Sequence, residues 1–139
     1  MQIQDRFKFR AKRIDNNEFA YGFLCFIFRD VCRIYCSQED KFYDCATKTL
    51  GQCTGIKDED GKLIYDGDIV ECFFDYFDGN FSEKRVVGPV VWYAASWKVK
   101  EKGNHWDLVD AGFDEKNLQA DYVKIIGNIH ENPELLQEK

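Results

Sequence analysis

The sequence is poor in the residue types that build metal centres and reactive sites. Its six cysteines include no C-x-x-C pair and it has only two histidines, so the ligand spacing of a structural zinc site is missing. On a strand, Cys32 and Cys36 would lie about 13 Å apart, too far to share a metal. None of the three serines stands in a G-x-S-x-G context, and phosphate-binding glycine loops are absent. We therefore expect no metal, no cofactor and no enzymatic activity.

Long apolar runs are also missing. No run approaches the ~18 residues that cross a bilayer, and residues 1–8 lack the apolar core of a signal peptide. We expect a cytoplasmic protein, with no membrane association. In such a reducing compartment the six cysteines are expected to be thiols.

Aromatic residues are what the sequence has in excess. One methionine and two prolines contrast with 12 Phe, 7 Tyr and 3 Trp in 139 residues. Large rings are typical of β architectures, whose faces they fill. The length predicts one compact domain or two packed halves, with any boundary near residue 50.

Charge differs between these two halves. Residues 1–50 hold nine Lys and Arg against seven acids, net +2, whereas residues 51–139 hold ten against eighteen, net −8, which gives the total of −6. Because an acidic surface repels phosphate backbones, nucleic-acid binding is disfavoured, although possible. A protein partner with a basic surface is easier to accommodate.

Glycine-rich turns organise the middle of the chain. Asp58-Glu59-Asp60-Gly61 separates two apolar segments and predicts a hairpin, because Gly takes a positive φ without a Cβ clash. A second turn at Asp66-Gly67-Asp68 leads into a β-branched and aromatic strand. The calcium-loop template fails here, since placing Gly61 at its sixth position puts Ile56 and Gly67 where ligands should be. The acids are therefore interpreted as solvated turn residues.

Three segments carry a family resemblance. The stretch G-Q-C-T-G-I-K-D-E-D-G-K-L-I-Y-D-G-D-I-V, residues 51–70, resembles the central signature of the YopX-like proteins of phages and prophages. K-F-R-A at residues 8–11 with Tyr21-Gly22 is similar to the family's opening, and I-G-N-I-H-E-N-P-E-L-L at residues 126–136 to its closing motif. Cys53 and His130 stand where an aromatic is expected. The resemblance implies a phage or prophage origin and a β-rich protein whose C-terminal part is an SH3-like barrel, with no catalytic residue.

Residues 6–12 alternate cationic and apolar side chains. A strand here places its cations on one face and points Phe7, Phe9 and Ala11 inward. The cations are interpreted either as facing solvent and the chain's own acids, which is the usual half-exposed pattern, or as a stripe for phosphate or an acidic partner. The four residues of this basic strand are Arg6, Lys8, Arg10 and Lys12.

The next segment, residues 19–28, contains ten residues without a charge. A half-exposed strand would leave many of its rings in water, so we expect cover on both faces. The cover is either the rest of the chain or a second copy of it, and we predict a homo-oligomer. The self-association residues are Phe19, Tyr21, Phe23, Phe26 and Phe28.

The second half predicts further strands and one alternative binding site. Residues 96–109 predict a hairpin, residues 114–120 one or two helical turns, and residues 86–93 a strand that Gly88-Pro89 places at an edge or a bulge. Tryptophans with nearby lysines form a candidate nucleic-acid patch, although the rings are also expected to fill a core. Its residues are Trp92, Trp97, Lys98 and Lys100.

These observations predict a mainly β protein with two parts. Residues 1–50 are predicted to form an N-terminal antiparallel β meander that serves oligomerisation. Residues 51–139 are predicted to form an SH3-like β-barrel with a short C-terminal helix, which Asn132 and Pro133 begin. The predicted function is that of a non-enzymatic interaction protein, and the alternative is nucleic-acid binding through the basic strand or the tryptophan patch.

Overall fold

The computed structural model of the chain describes residues 3–136, with side chains from Asp5 onward. Thirteen strands and four short 3-10 segments make up the regular structure of this part. The prediction of a mainly β protein is therefore confirmed. The chain divides into two compact units, Gln2–Thr54 (the N-terminal unit) and Gly55–Lys139 (the C-terminal unit).

The N-terminal unit is an antiparallel sheet of β1 (Lys8–Lys12), β2 (Phe19–Phe28), β3 (Val31–Cys36), β4 (Lys41–Ala46) and the first part of β5 (Gly51–Lys57). β1 to β4 pair in sequence order, and β5 lies on the other side of β1.

Within this unit, 3-10 segments at Ile3–Phe7 and Thr47–Thr49 lie outside the strands, so the predicted first strand begins only after Arg6 and Phe7. Phe7 is more than half exposed rather than inward-pointing.

Small side chains fill the core of the N-terminal unit. Ala11 pairs with Ala20 across β1 and β2, and Cys32 pairs with Cys45 across β3 and β4. These four residues and Ile34 are buried as one cluster. Arg13, just after β1, forms an isolated antiparallel bridge with Cys45 of β4, so β1 and β4 approach each other across this small core.

The strands of the C-terminal unit are the end of β5, β6 (Leu63–Tyr65), β7 (Asp68–Phe77), β8 (Phe81–Tyr93), β9 (Ser96–Glu101), β10 (Asn104–Asp107), β11 (Phe113–Asp114), β12 (Gln119–Ala120) and β13 (Val123–Asn128). Five of them form a second antiparallel sheet with the order β10-β9-β8-β7-β13.

Valines are the most frequent residues in the core of this unit, among them Val70, Val86, Val90 and Val99, as expected for β-branched residues on pleated strands. Trp97 and Trp106 pack against this core.

The predicted central hairpin is present between β5 and β6. Gly61 has a φ of 81° in the turn, as the Asp-Gly pair predicts. Asp58, however, is buried rather than solvated. Its Oδ1 accepts the backbone N–H groups of Asp60 and Lys62 at 2.9 Å each, and its Oδ2 accepts that of Ile125 at 3.2 Å. This carboxyl group therefore joins the turn to β13.

Pro89 lies in an inner strand, not at an edge. β8 pairs with β7 in an unbroken register up to Pro89, and it pairs with β9 from Val90 onward. The N–H of Val87 points to the β9 side, where Glu101 Oε2 accepts it at 3.1 Å. By strand alternation the missing N–H of Pro89 faces the same side, just before the β9 ladder begins. The proline therefore costs no ladder hydrogen bond, and the edge prediction is wrong.

Residues 114–120 form a hairpin instead of the predicted helical turns. β11 and β12 pair through Phe113 with Ala120 and Asp114 with Gln119. Asp114 closes the turn by accepting the N–H of Lys116 at 2.9 Å, and Leu118 has a φ of 50°. A residue in this left-handed region ends any right-handed helix, which explains the difference. The predicted hairpin of β9 and β10, in contrast, is confirmed.

Two finer features of the predicted fold stay predictions. The sheet of the C-terminal unit ends at β10 on one side and β13 on the other, and its closure into an SH3-like barrel is not established. The chain forms a 3-10 turn at Pro133–Leu136, and residues 137–139 lie outside the described part. Among residues 3–136, no helix is long and apolar enough to cross a bilayer.

Candidate functional site

A β-bulge in β2 gathers its aromatic residues on one face. Phe23 pairs with Tyr35 and Leu24 with Ile34, but the next pair is Phe26 with Arg33, so Cys25 is the extra residue. Such a bulge shifts the alternation of side chains by one position. Phe26 and Phe28 therefore lie on the same face as Phe19, Tyr21 and Phe23, with the Arg33 guanidinium 5.2 Å from the Phe26 ring centroid.

Neighbouring strands extend this surface. In β3 and β4, Tyr35 pairs with Phe42 and Val31 with Ala46, and the rings of Tyr35 and Phe42 lie 4.8 Å apart. Phe28 is 67% exposed and Phe42 60%, far more than core residues. We call this surface the aromatic face; it comprises Tyr21, Phe23, Phe26, Phe28, Val31, Tyr35 and Phe42.

Two hydrogen bonds to carboxylates lie on the aromatic face. Arg33 donates to Asp44 through Nε at 2.8 Å, and this carboxylate raises the pKa of the guanidinium. The Tyr35 hydroxyl donates to Asp40 at 2.7 Å, which raises the pKa of the phenol. Asp44 therefore compensates the charge of Arg33, whereas Asp40 is bound by a neutral hydroxyl group.

The residues of the predicted basic strand do not form one exposed stripe. Lys8 forms an ion pair with Asp5 at 3.1 Å. Arg10 and Lys12 are only 5% and 8% exposed, and their charged groups lie 4.6 and 4.7 Å from the centroid of the Phe19 ring. Phe19 itself is thereby partly covered by cations. Arg6 is exposed in the 3-10 segment before β1.

The predicted tryptophan and lysine patch is divided between two faces of its sheet. Trp92 pairs with Trp97, their rings 5.1 Å apart, and Trp97 lies on the face of the buried Val99. By alternation Lys98 and Lys100 point to the opposite face. Lys98 there forms an ion pair with Asp107, whose pKa it lowers. Trp92 remains 59% exposed.

The remaining candidate groups for acid–base or metal chemistry, His105, Asp107 and the cysteines, do not come together in one site. His105 stacks on Tyr93 with ring centroids 3.8 Å apart, while Asp107 binds Lys98 and Ser96. Burial raises the pKa of the Cys45 and Cys72 thiols to about 12. Within residues 3–136, no three His, Cys, Asp or Glu side chains gather in a way that could hold a metal ion.

Sequence comparison places this fold in a family. A family model described as YopX protein matches residues 8–137 of the chain. The chain belongs to the YopX family. The crystal structure of protein EF1440 from Enterococcus faecalis is similar to this YopX-family protein at 24% identity and a TM-score of 0.46, over 94% of this chain and 97% of that one. The comparison with curated proteins finds no match.

The closing motif of the YopX-family protein is a compact turn. Asn128 Oδ1 accepts the N–H groups of His130 and Glu131 at 3.0 and 2.9 Å. Asn132 returns a bond from its own N–H to the Asn128 carbonyl at 2.8 Å, and its Oδ1 accepts the Asn128 N–H at 3.2 Å. The side chains of Asn128 and Asn132, both part of the closing motif, therefore stabilise the backbone of this turn through hydrogen bonds.

Sequence reasoning missed three of the seven residues of the aromatic face, namely Val31, Tyr35 and Phe42. Val31, Arg33 and Tyr35 alternate with buried residues along β3, and Phe42 pairs with Tyr35. This period of two was visible in the sequence and could have indicated a common face. The bulge at Cys25 had no comparable signal, because nothing in an apolar run marks the extra residue.

Proposed function

We propose that this YopX-family protein is a non-enzymatic interaction protein that self-associates through the aromatic face and binds a macromolecular partner of host or phage origin. The observation that carries the proposal is the bulge at Cys25, which gathers the exposed rings of β2 on one surface. Contiguous apolar surfaces of this kind mark interaction sites in soluble proteins.

A second copy of the chain is the occupant that fits the aromatic face best. The first fifty residues carry a net charge of +2, whereas the remainder carries −8. Two copies repel each other least where their N-terminal units meet. Asp44 compensates the charge of Arg33, so a contact over this part of the face buries an ion pair and not a single guanidinium.

Three further elements of the proposal follow from the family. We propose a phage or prophage origin, a cytoplasmic location in the bacterial host, and an SH3-like arrangement of the C-terminal sheet. The long β8 supports this arrangement, because its first part pairs with β7 and its last part pairs with β9.

Nucleic-acid binding is the weaker alternative. Two of the four cations of the basic strand are buried, and the lysines lie opposite the tryptophans in the sheet. Base stacking next to phosphate contacts needs both kinds of residue on one surface.

Light scattering during size-exclusion chromatography tests the self-association. At tens of micromolar we expect a species heavier than the 16.3 kDa monomer. The substitution Phe28→Asp places a charge on the aromatic face and is expected to weaken this association at least about tenfold.

The matched control is Phe7→Asp. Phe7 is also an exposed phenylalanine of the N-terminal unit, but it lies in the 3-10 segment before β1. We expect Phe7→Asp to leave the mass unchanged. A wild-type protein that elutes as a clean 16.3 kDa monomer would contradict the proposed self-association.

A further inference from the structure

A two-stranded arm extends beyond the core of the C-terminal unit. β7 and β8 continue to pair after the buried Phe74, through Asp75 with Glu83, Tyr76 with Ser82 and Phe77 with Phe81. Every residue from 75 to 81 is exposed. We call residues 75–83 the arm.

The tip of the arm is both aromatic and acidic. Phe81 is 89% exposed and Phe77 66%, and their rings lie 5.0 Å apart. Asp75, Asp78 and Glu83 are its charged residues, and the arm contains no Lys or Arg. Asp75 stands directly opposite Glu83, an arrangement of like charges that destabilises an isolated hairpin.

A basic groove lies at the base of the same arm. Its volume is about 610 Å³, and among residues 3–136 its cations are Lys84, Arg85, Lys100 and Lys102, against the single acid Glu101. This local positive charge is unusual in a half of the chain with a net charge of −8. The groove therefore attracts a negatively charged occupant.

Part of this positive charge is not compensated by the protein itself. Arg85 is paired with Glu71 at 2.6 Å and Lys84 with Glu101 at 3.5 Å. Among the described residues, Lys100 and Lys102 form no ion pair, and neither do Asp75, Asp78 and Glu83 of the arm. The uncompensated cations of the groove thus match the uncompensated acids of the arm.

The groove also has an apolar part. Val87 and Pro89 of β8 and Leu135 and Leu136 of the final 3-10 turn line it, and the two leucines are each 39% exposed. An occupant that carries both carboxylates and large apolar side chains satisfies both parts. The tip of the arm has this composition.

We propose that two copies of the chain exchange arms, so that the acidic aromatic tip of each lies in the basic groove of the other. From Arg85 at the base to Phe81 at the tip, the arm spans about 13 Å at the rise of a strand. Two arms lying side by side in opposite directions bring each tip to the other base, and a two-fold axis relates the contacts. This interface is separate from the aromatic face, so it goes beyond the proposed function.

Nucleic acid is a poorer occupant of the groove. In the part of the chain that the structure describes, no aromatic residue lines it, so bases have no ring to stack on there. The acids of the neighbouring arm also repel a phosphate backbone.

Charge reversal in a Phe28→Asp background tests the exchange. With the aromatic face disabled, intact arms are expected to leave a dimer of twice 16.3 kDa at tens of micromolar in low salt. Adding either D75K/E83K in the arm or K100E/K102E in the groove is expected to give the monomer. Mixing these two variants in equal amounts is expected to restore a dimer. In the mixed dimer the cationic arm of the first variant meets the acidic groove of the second, and the acidic arm of the second meets the basic groove of the first.

The control is E115K/K116E in the same background, a reversal of exposed charges in the turn between β11 and β12. It is expected to leave the dimer intact, and circular dichroism checks that all variants are folded. A Phe28→Asp protein that is monomeric with its arms intact overturns the arm exchange, as does a mixture that fails to pair. Failure of the aromatic-face proposal is seen separately, as a wild-type mass that Phe28→Asp does not change.

Discussion

Two glycines allow backbones to approach more closely than any other residue would. A Cβ atom at Gly22 would overlap the carbonyl oxygen of Tyr35, and one at Gly88 that of Lys100. Both obstacles are backbone atoms, which cannot move aside as a flexible side chain can. These two positions therefore fix how tightly β2 packs beside β3 and β8 beside β9.

We expect Gly88→Ala to destabilise the protein by about 1–3 kcal/mol, because the added methyl group forces β8 and β9 apart. Urea denaturation followed by tryptophan fluorescence measures the change. Gly103→Ala is the matched control, since no atom lies within 4 Å of a Cβ built there. It should change stability by no more than about 0.5 kcal/mol. Equal effects at the two positions would contradict the close approach.

At the scale of elements, a single residue decides which face of β2 its last rings occupy. Cys25 is the unpaired residue of the bulge, and its side chain is exposed. If Cys25 instead paired in regular register, Phe26 and Phe28 would exchange places with Ile27 across the sheet. The aromatic face therefore depends on Cys25 standing outside the ladder, and not on the chemistry of its thiol.

Deleting Cys25 removes the extra residue and leaves Leu24, Phe26, Ile27 and Phe28 with the partners that they already have in β3. We therefore expect the rings to stay on the aromatic face and the stability to change by no more than about 1 kcal/mol. Cys25→Ser keeps the bulge and is expected to stay within about 0.5 kcal/mol of wild type. Thermal unfolding compares the two variants. A deletion that destabilises the protein by more than about 3 kcal/mol would contradict this pairing.

For the whole molecule, buried thiols link stability to pH. Burial is the main cause that raises the pKa of Cys45 and Cys72 to about 12 from 9.0. The folded protein keeps these groups protonated where the unfolded chain already ionises. The stability they contribute is complete below pH 9 and is lost between pH 9 and about 12.

Stability is therefore expected to fall as the pH rises above 9, and less steeply in Cys72→Ala than in wild type. One thiol accounts for at most about 1.4 kcal/mol per pH unit. Urea unfolding at pH 8, 9 and 10 measures the slopes. Cys25→Ser removes an exposed thiol and should keep the wild-type slope; if Cys72→Ala also keeps it, the buried thiol is not the cause.

The turns were the part of the fold that the sequence specified best. The Asp-Gly pair at Gly61, the hairpin of β9 and β10, and the aromatic and β-branched strands are all where local chemistry predicts them. A turn needs only a residue that tolerates a positive φ or closes a side-chain hydrogen bond nearby. Such requirements involve a few adjacent residues, so they can be recognised without the rest of the chain.

The faces of the strands were decided only by the tertiary structure. The alternation of residues 6–12 did not predict that Arg10 and Lys12 would be buried next to Phe19, nor did an apolar run predict the bulge at Cys25. Lysines close to tryptophans in sequence proved to lie on the opposite face of the sheet from them. Strand register sets these relations, and register results from pairing between segments far apart in the chain.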